Sequence, residues 1–281
     1  MYSPAEIHTK GTLIQMTQEP KSPIGVYDSG VGGLTVLRRL RALLPGEDII
    51  YFGDSANCPF GNRSRQELGA ITRRIFDFFR SREVKLTVSA CNTTSALFQM
   101  EGEPDCGFKV LSIIEPIARQ LAALNLEEVG IIATEFTVGS GMYEKLIRQE
   151  SPGTRVWGQG SATLASLVDA CRFEGGEIPA EVARLTGELL ARRPLRHIIL
   201  ACTHYPIVEE EFRRAAPGVT FLDPAAAQAQ AAAQLLAGQG LLSPQTGGRL
   251  EVYTSGHPAL FEEVAGRLGI EGIGKVERLA L

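Results

Sequence analysis

Short apolar runs rich in β-branched residues alternate with longer stretches of helical spacing over most of the chain. Residues 24–28 (IGVYD) and 49–53 (IIYFG) are nearly continuous in hydrophobicity, as strands buried on both faces of a sheet are. Helical spacing fills 34–44 and stops before Pro45. It returns over 64–82, where Leu68, Ile71, Ile75, Phe78 and Phe79 make the buried side of an amphipathic helix. Residues 86–90 and 110–114 read as two more strands, the second leading through Glu115-Pro116 into an Ala/Leu-rich helix.

The pattern then restarts. Residues 129–134 (VGIIAT) echo the opening strand, and Val138-Gly139-Ser140-Gly141 echoes the earlier turn Gly30-Val31-Gly32-Gly33. Helices are expected at 142–150, 161–172 and 178–192, with a short strand around Val156. Strands at 197–201, 219–222 and 250–254 and helices at 224–237 and 258–268 complete the chain. Strand–helix alternation implies parallel sheets with helices on both faces. The expected fold class is α/β, with two doubly wound domains whose parallel sheets face a cleft.

Composition narrows the function classes. The chain has 281 residues, 44% hydrophobic and 21% charged, which is ordinary for a globular protein with a substantial core. Its net charge is −4 with Lys and Arg scattered, which argues against nucleic acid as a ligand. No apolar run has the length of a membrane span, so no membrane partner is expected. Residues 1–22 lack an apolar signal core and read as a polar, poorly ordered extension. Five cysteines (58, 91, 106, 171 and 202), with no C-x-x-C pair, suit free thiols in a cytoplasmic protein.

Two of those thiols stand out by setting. Val88-Ser89-Ala90-Cys91-Asn92-Thr93 and Ile199-Leu200-Ala201-Cys202-Thr203-His204 each run from a buried strand through Ala-Cys into small polar residues. Ligands of open α/β sheets bind beyond the carboxyl ends of strands, so both thiols would stand where chemistry is done. One acid/base group from each half suits a reaction that removes a proton from one face of a carbon and returns it to the other. That reaction is racemisation. Cysteine is also among the most buried and inert residue types, and Cys106, in a loop, and Cys171, on a helix face, fit that description. Cys58, between Asn57 and Pro59, could stand close to the site, but no base is evident next to it in the sequence.

The remaining signals are weaker. The Gly30/Gly32/Gly33 turn lacks the third glycine of a dinucleotide fingerprint, since position 35 is Thr35, and no G-K-[ST] follows. Free N–H groups there suit a small anion such as a carboxylate, and a turn that merely allows close packing is the alternative. Asp28 closes the first strand and His204 follows Cys202 by two residues, so each is a candidate acid/base partner, Asp28 for Cys91 and His204 for Cys202. Zinc asks for three or four closely spaced ligands, and Cys202-Thr203-His204 supplies one pair, so no metal is expected.

With these residues in hand, the chain resembles the glutamate racemases, cofactor-independent amino-acid racemases. The resemblance rests on Ile24-Gly25-Val26-Tyr27-Asp28-Ser29-Gly30-Val31-Gly32-Gly33-Leu34-Thr35, Tyr51-Phe52-Gly53-Asp54 with Cys58-Pro59-Phe60-Gly61, Ala90-Cys91-Asn92-Thr93, and Cys202-Thr203-His204-Tyr205-Pro206. It covers the chain from about residue 23 onward. It implies a first domain of 23–116 plus 225–281, a second domain of 117–224, and an active site between them. It also implies Cys91 and Cys202 as acid/base thiols, supported by Asp28, His204 and Asp169. Asp28, Ser29, Phe60, Gly61, Asn92, Thr93, Thr203 and His204 would bind glutamate. No cofactor, a homodimer, and D-glutamate destined for peptidoglycan synthesis follow from the same resemblance.

The chain departs from that pattern in places. Ala201 stands for a usual glycine, Phe60 for a usual tyrosine, and Gln159-Gly160 for a frequent Cys-Pro. Asp169 takes the place of a glutamate, which withdraws its carboxylate by about 1.5 Å. An aspartate or other amino-acid racemase of the same superfamily would share both thiols. A non-catalytic small-anion binding protein would need neither.

Overall fold

The computed structural model describes residues 19–281 and contains two parallel sheets. Six strands form the first: β1 (Ile24–Asp28), β2 (Ile49–Gly53), β3 (Leu86–Ser89), β4 (Lys109–Leu111) and, from the far end of the chain, β9 (Leu250–Thr254) and β10 (Val276–Arg278). Four form the second: β5 (Glu128–Thr134), β6 (Arg155–Ser161), β7 (His197–Ala201) and β8 (Thr220–Leu222). Strand order is β10-β9-β2-β1-β3-β4 in one sheet and β6-β5-β7-β8 in the other. The echo in the sequence is thus a repeat of topology, because β2-β1-β3-β4 and β6-β5-β7-β8 are the same arrangement.

That arrangement fixes where ligands can bind. In each sheet the first strand sends its chain to one side and then across to the other. The two crossovers therefore diverge between β1 and β3 and between β5 and β7, leaving a crevice at the carboxyl ends of those strands. Asp28 ends β1, Cys91 follows β3 by two residues, Thr134 ends β5 and Cys202 follows β7 directly.

The helices form for local reasons. Arg65–Ser81 is opened by a capping box, Ser64 accepting from the Glu67 N–H while the Glu67 side chain accepts from the Ser64 N–H. It buries Leu68, Ile71, Thr72, Ile75, Phe76 and Phe79. The expectation for Phe78 is corrected: it is half-buried, and Phe76 takes the inward position, edge-on to Tyr27 and Phe108. The 110–114 strand is shorter than expected, because helix Ile114–Leu124 already starts there. The 116/117 boundary falls within that helix, which packs on Met142–Glu150 and Ala225–Gly238.

Other expectations shift as well. The second glycine-rich turn begins as a short helix, Glu135–Gly139, opened by the Thr134 side chain. The strand near Val156 extends to seven residues, and the 161–172 helix shrinks to Leu164–Asp169. Cys171 lies past that helix with φ +52° rather than on its face. Of the extension expected over 1–22, residues 1–18 lie outside the described residues. Residues 19–22 make a turn, Ser22 N–H to Glu19 O, and the Pro20 carbonyl accepts from Lys85 Nζ at 2.6 Å. Among the described residues no helix is long and apolar enough to cross a membrane.

Candidate active site

Cys91 caps helix Asn92–Glu101, so its sulfur stands at a helix N-terminus, where backbone N–H groups favour an anion. Burial nevertheless dominates. With 4% of its surface exposed, the thiol is pushed up to about 12. Negative charge on Asp28 and Cys202 pushes the same way, and only the hydrogen bonds of Thr94 oppose it. The thiol is therefore protonated at neutral pH.

Cys202 is buried, and its Sγ lies 3.8 Å from Nδ1 of His204. The other ring nitrogen, Nε2, lies 3.1 Å from Oδ1 of Asp169. Burial works against a charged imidazole at His204, but hydrogen bonds to Asp169, Cys202 and Cys58 outweigh it and hold the group well above the usual histidine range. A thiol, an imidazole and a carboxylate thus form a buried chain of proton-sharing groups.

The two halves meet through polar contacts. Thr203 Oγ1 donates to Asp28 Oδ2 at 2.9 Å, so the residue after Cys202 touches the strand end beside Cys91. Asp169 Oδ1 also accepts from the Val31 N–H at 2.9 Å, and Asp28 Oδ1 from the Gly30 N–H at 3.1 Å. These bonds narrow the anion-binding reading of the glycine turn, since the N–H groups of residues 30 and 31 are taken by the protein's own carboxylates. Close approach is what the glycines provide. A Cβ on Gly30 would stand 1.9 Å from Asp169 Oδ1, and one on Gly32 would stand 2.5 Å from both His204 Nδ1 and Thr203 Oγ1. Asp28 itself is buried, which raises its pKa, while His204 and the bonds from Thr203 and Gly30 pull it back.

The expected binding residues gather around the same cleft. Ser29, Phe60, Asn92, Thr93 and Thr203 are all buried. A Cβ on Gly61 would meet Thr134 at 2.5 Å, and Thr93 Oγ1 lies 3.1 Å from Thr134 Oγ1. The Tyr143 hydroxyl donates to Asn92 Oδ1 at 2.6 Å, which fixes the amide so that its buried Nδ2 has no hydrogen-bond partner among the described residues. A desolvated donor in that condition is stabilised by an incoming acceptor.

Three supporting residues, Tyr143, Thr134 and Thr137, were missed in the sequence, and Cys58 does lie at the site. Tyr143 orients Asn92, Thr134 and Thr137 back Thr93, and Cys58 stands beside His204. Tyr143 and Thr137 lie in segments that read as ordinary helix and turn, so no local signal marks them. The base absent near Cys58 in the sequence is His204, 146 positions away. Cys58, Asp169 and His204 offer ligand atoms within 4.8 Å of one another, a grouping of the kind that can hold a metal ion and one the Cys202-Thr203-His204 spacing did not suggest.

The sequence profile of the Asp/Glu/Hydantoin racemase family matches residues 32–232. A glutamate racemase of Thermus thermophilus is 37% identical over 264 residues, covering 94% of this chain and 98% of its own. Among solved structures, a glutamate racemase of Bacillus anthracis superposes with a TM-score of 0.83 at 29% identity, covering 94% of this chain and 98% of its own. One from Francisella tularensis, crystallised with D-glutamate, gives 0.80 at 29% identity, covering 93% and 98%. The chain belongs to the Asp/Glu/Hydantoin racemase family and is an isomerase.

Proposed function

We propose that the protein interconverts L- and D-glutamate without a cofactor, using Cys91 and Cys202 as paired acid and base. The observation that carries this reading is the Thr203–Asp28 hydrogen bond, which ties the turn that bears Cys202 to the end of β1, the strand paired with the one that leads to Cys91. The likeness to glutamate racemases along nearly the whole chain supplies the substrate.

The substrate ammonium, entering near Asp28, would offset the burial that keeps Cys91 protonated. Asn92 Nδ2, together with Thr93, Thr203, Ser29 and the backbone at Phe60-Gly61, would hold the carboxylates. One sulfur, as thiolate, removes the α-proton, and the other, as thiol, delivers a proton to the opposite face. Donors already in place and the exclusion of water stabilise the carbanion-like transition state. Asp28 neighbours Cys91, and His204, held by Asp169, neighbours Cys202. The same reading makes the protein a cytoplasmic homodimer that supplies D-glutamate for peptidoglycan.

The test is a chiral assay in deuterated water with no cofactor added. Solvent deuterium should appear at the α-carbon as the enantiomers interconvert, with aspartate turned over much more slowly. Cys91→Ser and Cys202→Ser should each lower racemisation by at least about 10³-fold, because the thiols act as a unit. Racemisation without isotope exchange, or near-normal turnover in either variant, would end the two-thiol scheme.

A further inference from the structure

We propose that Cys58, Asp169 and His204 form a binding site for a thiophilic divalent cation such as Zn²⁺, and that occupancy of this site switches the enzyme off. The three side chains come from separate parts of the chain: the loop after β2, the end of helix Leu164–Asp169, and the turn after β7. Their ligand atoms lie within 4.8 Å of one another. A sulfur, an imidazole nitrogen and a carboxylate oxygen are the donors that zinc prefers, and three protein ligands plus one water is a common set for it.

The geometry needs little adjustment. Around a tetrahedral zinc, N and O ligands at about 2.1 Å from the metal stand about 3.4 Å apart, and a sulfur stands slightly farther off. His204 Nε2 and Asp169 Oδ1 are 3.1 Å apart, so a few tenths of an ångström would admit the ion between them. Cys58 would need to close by no more than about an ångström. Asp169 is already oriented by the Val31 N–H, the kind of outer hydrogen bond that fixes a ligating carboxylate. Cys58 is partly exposed, which gives an ion access from solvent.

Binding would replace the Nε2 proton of His204 and the thiol proton of Cys58, both released to solvent. A metal on Nε2 confines the remaining ring proton to Nδ1, which faces Cys202 Sγ. The imidazole then can neither take up nor pass a second proton, and the Cys202 side of the cleft is frozen. The effect on activity rests on the two-thiol reading above, whereas binding of the ion does not.

The experiment therefore reads binding and activity separately. Metal-free protein is titrated with Co²⁺, whose thiolate charge-transfer and four-coordinate ligand-field bands report a Cys-bound ion, and racemisation is measured with and without Zn²⁺. The wild type should show the thiolate band at one equivalent and a Zn²⁺ inhibition that a chelator reverses. Cys58→Ala should lose the band and need at least about tenfold more Zn²⁺ to inhibit whatever racemisation it retains. In wild-type protein, Zn²⁺ should also slow alkylation of Cys58, read peptide by peptide, a measurement independent of how the variant folds. Absence of the band in the wild type, an unchanged band in Cys58→Ala, or Cys58 alkylated equally fast with Zn²⁺ would overturn the proposal. A band with no racemase activity would uphold the site and overturn the function.

Discussion

At the scale of single residues, Asp169 is the carboxylate placed to support the second thiol, through its hydrogen bond to His204. A glutamate at this position would extend one methylene farther. The aspartate stops at His204 and the Val31 N–H, so under the proposed function its influence on Cys202 would pass through the imidazole. Both donors meet the same oxygen, Oδ1, which an asparagine amide can still supply, so Asp169→Asn removes the negative charge that strengthens these bonds rather than the acceptor itself. A charge-assisted hydrogen bond of this kind contributes about 1.5–3 kcal/mol. Asp169→Asn should therefore lower kcat/KM for glutamate by about 10–100-fold. Enantiomers have equal free energy in water, so the fall must be the same from L and from D, while kcat and KM separately can differ between directions. Progress curves from both enantiomers check this, and unchanged kcat/KM would remove Asp169 from its supporting role.

Cys91 gives the pH signature. Its native pKa of about 12 is raised above the unfolded thiol value near 8.5. A raised pKa stabilises the fold below the unfolded value, and that contribution is lost as pH rises through the native one. Between pH 8.5 and 12 the unfolded chain releases this proton and the native one keeps it. Cys91→Ala removes that term, so over this window the wild type should lose stability relative to the variant by up to about 1.4 kcal/mol per pH unit. Parallel stability curves in urea from pH 8 to 10 would contradict it.

At the scale of elements, one buried ion pair ties the first sheet to its surroundings. Lys85, just before β3, lies 2.5 Å from Glu47, just before β2, and both side chains are almost wholly buried. Lys85 Nζ also donates to the carbonyls of Pro20 and Leu241, and Glu47 Oε1 accepts from the Ser243 N–H at 2.7 Å. Removing one partner strands the other charge in a dry site, at about 3–5 kcal/mol. Lys85→Ala should lower unfolding stability by that amount, and Lys85→Met with Glu47→Leu should recover much of it. Urea melts of the three proteins check the pattern, and a single variant as stable as wild type would contradict it.

How far the elements were legible follows the same division between local and distant causes. Strands 24–28, 49–53 and 197–201 carry nearly continuous apolar runs and 250–254 an apolar run broken once, at Glu251, and the structure has all four at those bounds. Strand β6 is less visible because Gly158 and Gly160 interrupt it. Gly158 is there to clear Val138, whose Cγ1 would lie 2.7 Å from a Cβ. Strand β10 is a three-residue edge that, among the described residues, pairs only with β9 and carries almost no pattern of its own. Likewise the settings of Cys91 and Cys202 could be read locally, whereas the contacts of Asp169 to Val31 and of Tyr143 to Asn92 span 138 and 51 positions.

At the scale of the molecule, the proposed reaction needs the two halves to approach closely, and Gly32 sits on that seam. Its φ lies outside the left-handed region, so alanine suits the local chain. The obstacle is across the cleft, where the new methyl would meet Thr203 Oγ1 and His204 Nδ1 at 2.5 Å. Ordinary contact needs roughly an ångström more, and buried groups held by Asp28 and Asp169 have little freedom to give it. The relief available is to part the halves, stretching the Thr203–Asp28 and Asp169–Val31 bonds. An ångström of misplacement between reacting groups lowers rates by about 10²-fold. Gly32→Ala should therefore keep both sheets folded, with unchanged far-ultraviolet circular dichroism, yet lose about 10²-fold in kcat/KM. Amide exchange should rise at the Val31 N–H, which the seam protects, and stay unchanged within β1 and β7. Full activity in Gly32→Ala would mean that the halves do not need this contact to work, and a global rise in exchange would mean that the glycine serves the fold rather than the cleft.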